Sequence, residues 1–432
     1  MPRVILISID GLAAFYWRDP RVRIPALRAL ADRGVVARGM EAVFPTTTWP
    51  THVSMVTGVR PRAHGVVGNS ILNRATGQPE ELTGDPIYDA PDLLRGPTLY
   101  DRAHAGGLTT AAIDWPATRG SQSLAFNLPF FKDQRVFESH TPPATWSELK
   151  TLGYPVERQG EWAELPKRFL KDAMVADLAA HVLRRHAPHL LLVHFLSTDS
   201  FQHLYGPRSP EAYWAIEYVD GLIGQLLASL PPDELDSRTA LFVVSDHGFL
   251  RVAQEVRVNV RLRQLGLLQA DTAGRVQNAE ARFIANLGAG YVYLSDRRNA
   301  PTLARDLAPE LGKLEGISRV WTADDYPALG LPAPEENSHA GDLILEAAPG
   351  YDFANEAHGG ELVVSPPRYR GTHGQLPTHP ENLAFFLAAG AGIGRGLELP
   401  AITSRDVAPT LAHALGLAMD ASEGRLLTEI LS

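Results

Sequence analysis

Acids and histidines recur in short, well-defined contexts along this sequence. Asp10 closes the run "ISIDG", Asp199 and His203 fall in "STDSFQH", Asp246 and His247 in "VVSDHG", and His373 in "GTHGQ". Taken singly, each has a plain reading: a helix cap, a solvated turn, or an i, i+4 surface pair. Taken together, these six residues offer carboxylate and imidazole donors for two three-residue dication sites, each with a position left for solvent or substrate. The spacing Asp199-x-x-x-His203 sets both side chains on one helical face. Asp246-His247 is followed by Gly248, which lets the backbone turn tightly beneath them. Asp and His donors without cysteine suit catalytic zinc, and manganese or iron accept the same set.

A different chemistry is offered by "FPTTTWPTH", residues 44–52. The stretch reads as a helix amino terminus, with Pro50 tolerated in the first turn and Gly58 ending the helix. A threonine hydroxyl beside a metal becomes an alkoxide, and the helix terminus favours an arriving phosphate. Spacing alone does not choose among Thr46, Thr47 and Thr48. Trp49 reads equally as a stacking platform for a nucleobase or aryl group and as a core aromatic.

The donors follow apolar runs that read as buried strands. Asp10 follows 4–9, Asp199 follows 189–196, Asp246 follows 239–245, and His373 precedes a strand at 382–390; a further strand is expected at 109–115. Amphipathic helices are expected at 24–34, stopped by Gly34, at 166–186, at 209–230, and at 404–416, capped by Ser404 and stopped by Gly416. Strands alternating with helices predict an α/β fold with a mostly parallel sheet, whose ligands gather at the carboxyl ends of the strands. Residues 117–165 break the rhythm and carry Phe126, Phe130, Phe131, Trp146 and Trp162; they read as a lid or substrate-binding insertion. Residues 251–285 and 322–372 are also irregular and read as excursions from one core, so 1–432 is taken as a single catalytic domain.

Composition narrows the function. With 432 residues, 45% hydrophobic and a net charge of −9, the chain is globular and lacks the basic field that stable nucleic-acid binding requires. The absence of cysteine excludes disulfides, thiolate sites and cysteine nucleophiles. The run "VILISI" is too short for a signal-peptide core, and "LAFFLAAGAGIG" is too short to cross a membrane, which leaves a cytoplasmic protein as the expectation.

Five blocks in fixed order carry a resemblance: "ISIDG", "FPTTTWPTHVSMVTGVRPRAHGVVGN", "STDSFQHLYGP", "VVSDHG" and "GTHG". From Val4 to about Gly424 the chain resembles the nucleotide pyrophosphatase/phosphodiesterase family of the alkaline phosphatase superfamily. The resemblance implies a three-layer α/β/α sandwich and selects Thr48 as the nucleophile, two residues before the proline of its block. It implies that Asp10, Thr48, Asp246 and His247 hold one zinc and that Asp199, His203 and His373 hold the other. Asn69, in "VVGN", becomes a donor to a non-bridging phosphate oxygen beside the N–H of Trp49. The implied substrate is a small phosphodiester or nucleotide, hydrolysed through a phosphothreonine. Thr51, where the family often has asparagine, and Gln375, where it commonly has tyrosine or phenylalanine, depart from the pattern without touching the implied ligands. A phosphonate hydrolase or phosphomonoesterase would use the same bimetal core. A sulfatase would need a C/S-x-P-x-R block, a phosphomutase a serine, and a non-catalytic relative the loss of a ligand or of Thr48.

Overall fold

The computed structural model describes residues 2–84, 88–231 and 233–432. Strands β1 (Arg3–Ile9), β2 (Gly34–Ala37), β3 (Thr110–Ile113), β4 (Phe126–Leu128), β5 (Leu190–Phe195) and β6 (Thr239–Val244) belong to one sheet. A second sheet contains β7 (Ala281–Asn286), β8 (Ala289–Leu294), β9 (Ile317–Thr322) and β10 (Leu343–Ala347), after which β11 (Phe386–Gly390) and β12 (Leu397–Leu399) rejoin the first. The main helices are α1 (Pro25–Ala31), α2 (Thr48–Thr57), α3 (Arg168–Arg185), α4 (Ser197–Tyr205), α5 (Pro210–Ala228), α6 (Ala300–Gly312) and α7 (Val407–Ala414).

The first sheet runs β12-β2-β11-β6-β1-β5-β3-β4. It is parallel except at β11, which opposes both of its neighbours. Ile7 of β1 pairs with Val193 of β5 and Val243 of β6, so the three strands end at one edge in near register. These strands are apolar without alternation because helices bury both faces. Ile5, Ile7 and Ile9 face one layer with Leu27, Leu30, Leu178 and Ile223 of α1, α3 and α5. Val4 and Leu6 face the other, with Met55 of α2 and Leu411 of α7. This is an α/β/α sandwich.

The second sheet lies partly within and partly between the segments that read as irregular. It is antiparallel throughout, ordered β7-β8-β10-β9. Its two faces are each covered: Ile284, Tyr291 and Ile344 pack with Trp49 and Val53, while Phe283, Val292 and Leu345 pack with α6 through Leu307 and Leu311. Double burial leaves β8 and β10 buried at every position, Glu346 included, instead of alternating, and the short hairpin at 287–288 hides their partner.

Two boundary expectations are corrected. Gly34 does not merely stop a helix; it opens β2, and a Cβ there would meet the Ala388 carbonyl at 2.3 Å. A 3-10 turn, Ser404–Asp406, leads into α7 and is capped by Thr403, not Ser404: the Thr403 N–H donates to Asp406 Oδ2 at 2.8 Å in a capping box. Within 117–165, Phe126, Phe131 and Trp162 are buried in the core that covers β1, and Trp146 packs against it. Among the described residues no helix is long and apolar enough to cross a membrane.

Candidate active site

The common edge of β1, β5 and β6 carries the donors. The Asp10 N–H donates to the Phe195 carbonyl at 2.9 Å, and the Gly11 N–H to Asp246 Oδ1 at 3.0 Å, so the three strand ends are tied together. Gly11 has φ +69°, and a Cβ on it would lie 2.6 Å from the Phe249 ring. Asp199 and His203 share one face of α4, with His203 Nε2 3.1 Å from Asp199 Oδ1. His373 arrives by another route. Leu250 pairs with Thr372 in a short antiparallel ladder just beyond β6, which lays the His373 ring on that of His247 with centroids 3.4 Å apart.

Each of these three histidines is oriented by a backbone carbonyl. Nδ1 of His203 faces the Gly371 carbonyl at 2.9 Å, that of His247 the Gly248 carbonyl at 3.0 Å, and that of His373 the Thr46 carbonyl at 2.8 Å. A carbonyl only accepts, so Nδ1 carries a proton, and Nε2 is the ring nitrogen left to face a metal. That is the arrangement of metal-binding imidazoles.

The Nε2 atoms converge on carboxylate oxygens. His247 Nε2 lies 3.3 Å from Asp10 Oδ1 and 3.2 Å from Asp246 Oδ2, and His373 Nε2 lies 3.7 Å from Asp199 Oδ1. Asp10 Oδ1, Asp199 Oδ1, Asp246 Oδ2 and His247 Nε2 are buried and make no hydrogen bond. Burial, reinforced by Asp246 and Asp199, pushes the Asp10 carboxyl well above its usual range. Burial beside His247 and His203 holds His373 well below the usual imidazole range. Crowded carboxylates and inward-facing imidazole nitrogens are stabilised by cations. Donor atoms of Asp10, Asp246 and His247 lie within 4.8 Å of one another, as do those of Asp199, His247 and His373. The residues fit a pair of divalent ions.

The threonine run meets this cluster at its last member. Thr46 and Thr47 are fully buried, whereas Thr48, the first residue of α2, is half-buried at the cavity. Thr47 occupies the cap position, yet its hydroxyl makes no capping bond. Thr46 instead bridges two segments: its hydroxyl donates to the Gln375 carbonyl at 2.8 Å and accepts from the Gly374 N–H at 3.0 Å. Asn69 Nδ2 lies 3.4 Å from Thr48 Oγ1. The Trp49 N–H, expected to face a phosphate, donates to Asn69 Oδ1 at 2.9 Å. The Trp49 ring is buried against Val53 and Ile284 while bordering the cavity.

Several residues near the site were given no role from the sequence, although His52 closes the stretch 44–52. His52, one turn into α2, contacts the Thr48 carbonyl at 2.8 Å and Ser8 Oγ at 2.9 Å, and burial drops it to about 3. His194, inside β5, puts Nε2 3.2 Å from Asp10 Oδ2, and burial likewise drops it to about 3. Both sit in apolar runs or on helical periodicity, where a histidine reads as core. Arg168, at the start of α3, places Nη1 3.6 Å from Asp199 Oδ2 and 3.3 Å from Ser200 Oγ.

A cavity of about 650 Å³ opens over Thr48, with Trp115, Phe130, Leu165, Arg168 and Tyr369 in its walls. That is ample for a nucleotide-sized ligand. Phe130 is the member of the 117–165 aromatics that borders it, half-buried, with the Arg168 guanidinium 5.5 Å from its ring centre.

Comparison with known proteins agrees with this architecture. Over residues 4–376 the chain matches the model of a family described as type I phosphodiesterase/nucleotide pyrophosphatase. It is 26% identical over 247 residues to human ectonucleotide pyrophosphatase/phosphodiesterase family member 1, an alignment covering 57% of this chain and 23% of that protein. The chain thus spans about a quarter of the length of the curated mammalian relatives it matches. An uncharacterized pyrophosphatase/phosphodiesterase of Schizosaccharomyces pombe is 25% identical over 433 residues, covering 98% of this chain and 78% of that one. Murine ectonucleotide pyrophosphatase/phosphodiesterase 5 superposes over 100% of both chains with a TM-score of 0.73 at 19% identity. An inactive threonine-to-alanine form of that murine protein in complex with AMP gives a TM-score of 0.75. The match over most of its length, on a fold that gathers these donors at one sheet edge, makes the chain a member of the type I phosphodiesterase/nucleotide pyrophosphatase family.

Proposed function

We propose that the chain hydrolyses phosphodiester or phosphoanhydride bonds of small nucleotide-like substrates through a phosphothreonine at Thr48. The observation that carries this reading is the accessible Thr48 hydroxyl, 3.4 Å from the Asn69 amide and beside the buried carboxylate–imidazole cluster. Two zinc ions, one with Asp10, Thr48, Asp246 and His247 and one with Asp199, His203 and His373, would supply Lewis-acid charge to the nucleophile and the leaving oxygen.

The chain's own contribution follows from the contacts. Thr48 gives up its hydroxyl proton to solvent, and Oγ1 forms the new bond to phosphorus as the ester oxygen opposite it leaves with its bonding pair and takes a proton from water. Asn69 Nδ2 donates to a non-bridging oxygen as charge grows there, worth a few kcal/mol for one well-aimed donor. Water then displaces Thr48 Oγ1 from phosphorus in the reverse sense. His52 stays neutral above about pH 3 and holds the first turn of α2 to β1 through Ser8, so it positions the nucleophile without exchanging a proton. Trp115, Phe130 and Tyr369 offer ring surface for the base or aryl group.

The test compares a bis-aryl phosphate, a nucleotide aryl ester, an aryl monophosphate and phosphonoacetate, with metal content measured in parallel. Diester and nucleotide turnover lost in Thr48→Ala, with metal retained, supports the reading. Faster turnover of monoester or phosphonoacetate would move the assignment to that class, and full activity in Thr48→Ala would remove the nucleophile.

A further inference from the structure

A second set of metal donors lies away from the threonine. Glu148 belongs to the helix Pro143–Thr151, inside the 117–165 segment. His181 lies in the penultimate turn of α3, and His186 is the residue that ends that helix. His181 Nε2 lies 2.7 Å from Glu148 Oε1, and His186 Nε2 lies 2.9 and 3.1 Å from Oε1 and Oε2. The donor atoms of all three are within 4.8 Å of one another. We propose that Glu148, His181 and His186 form a further binding site for a transition-metal dication of the zinc class, separate from the cluster around Thr48.

The donor chemistry selects the ion. Two imidazoles and one carboxylate suit zinc, copper or nickel, whereas magnesium and calcium demand oxygen ligands. Two donors on one zinc stand about 3.3 Å apart, so contacts of 2.7–2.9 Å need open only by roughly half an ångström to admit the ion. On binding, each neutral ring moves its N–H from Nε2 to Nδ1 and offers the freed lone pair; the hydrogen bonds to Glu148 are exchanged for metal bonds. Burial would raise the Glu148 carboxyl, but the His181 and His186 hydrogen bonds outweigh it and hold the group below its usual range, so it is ionised for the task. The carbonyl end of α3 adds favourable negative potential beside His186. His181 is 16% and His186 33% exposed, which leaves room for water ligands and an open path from solvent.

The position gives the site a purpose. It fastens the helix Pro143–Thr151 to α3, and α3 begins at Arg168 in the cavity wall. Occupancy braces that wall from its far end.

The test is a difference measurement, independent of how many ions the Thr48 cluster takes. Wild type and the variants His181→Ala, His186→Ala and Glu148→Gln are dialysed against zinc, and bound metal is counted per chain. The expected result is one equivalent fewer in each variant, with hydrolytic activity retained; equal counts in all four proteins would overturn the proposal. Because a substitution can disturb folding, the unaltered chain is also treated with diethylpyrocarbonate with and without zinc. Protection of His181 and His186 in the mapped peptides supports the site, and unchanged modification of both rules it out.

Discussion

The backbone N–H of Trp49 donates to Asn69 Oδ1 at 2.9 Å, which turns the amide so that Nδ2 faces Thr48 Oγ1 at 3.4 Å. The helix that carries Thr48 therefore also aims its neighbouring donor. Asn69→Asp keeps the shape but replaces the donor with an anion. It is expected to lower kcat by about 10²-fold or more, and Asn69→Ala by about 10²-fold, with KM little changed. Steady-state kinetics on a nucleotide aryl ester measures both; an unaltered kcat in the aspartate variant would remove Asn69 from the chemistry.

Thr46 acts on the site through His373. Its hydroxyl joins Gln375 and Gly374, and its carbonyl fixes the His373 Nδ1 proton. Thr46→Val leaves the buried Gly374 N–H without a partner and the Gln375 carbonyl with Asn382 Nδ2 alone, at a cost of about 1–3 kcal/mol in urea unfolding. Loosened support of a ligand histidine should also weaken metal retention roughly 10-fold against a chelator. Retention equal to wild type would reduce Thr46 to a structural tie.

His52 lies one turn beyond Thr48 with its ring nitrogens engaged by the Thr48 carbonyl and Ser8 Oγ, and its titration too argues against a role as general base. Burial keeps it neutral above about pH 3, so it gains no proton across the working range. The pH–rate profile of His52→Gln should keep the limbs of the wild type while stability falls by about 1–3 kcal/mol, because Ser8 loses its partner. A missing acid limb in the variant would reinstate His52 as a proton carrier.

Asp172 gives the fold a pH signature of its own. Burial pushes its carboxyl up to about 6, against hydrogen bonds from Ser197 and Leu196 that favour the anion. The native state therefore holds this proton more tightly than the unfolded chain, whose value is near 3.8. The stability it contributes is fully present below about pH 4 and declines as pH rises toward 6, by on the order of 2 kcal/mol. Unfolding of Asp172→Asn, compared with wild type across that window, should lack this component of the slope.

Arg168 bears on substrate choice. Its guanidinium reaches Asp199 and Ser200 and borders the cavity, so it can meet a phosphate beyond the one being attacked. Arg168→Ala is expected to raise KM for a phosphoanhydride about 10-fold more than for a bis-aryl diester. An equal rise for the two would assign it to general support of the site.

The strand-end donors are legible in the sequence because Asp10, Asp199 and Asp246 each follow a buried apolar run, and parallel strands deliver such residues to one edge. The sheet that carries them is legible through the same runs. His194 is hidden because it lies within such a run, in "LLLVHFL", where its neighbours dominate the pattern. His52 stands in the quoted stretch 44–52, but nothing local shows that its ring ties α2 to Ser8 of β1. The second sheet escapes because both of its faces are covered, so β8 and β10 lack alternation. The bond between Trp49 and Asn69 joins positions whose meeting depends on tertiary packing, which no local pattern records.

The loop carrying His373 is gripped from the second sheet: the Gly288 N–H donates to the His373 carbonyl at 2.7 Å, and the Leu376 N–H to Glu346 Oε1 at 2.8 Å. Asp10 leaves the ribosome well before this loop, and the grip needs the residues through Leu376 to have emerged. Until then the carboxylates of the earlier strands stand without their last imidazole. The donor set is completed only when the β7–β10 hairpins dock, so metal capture becomes a late event in the biogenesis of the molecule and reports that both sheets have met.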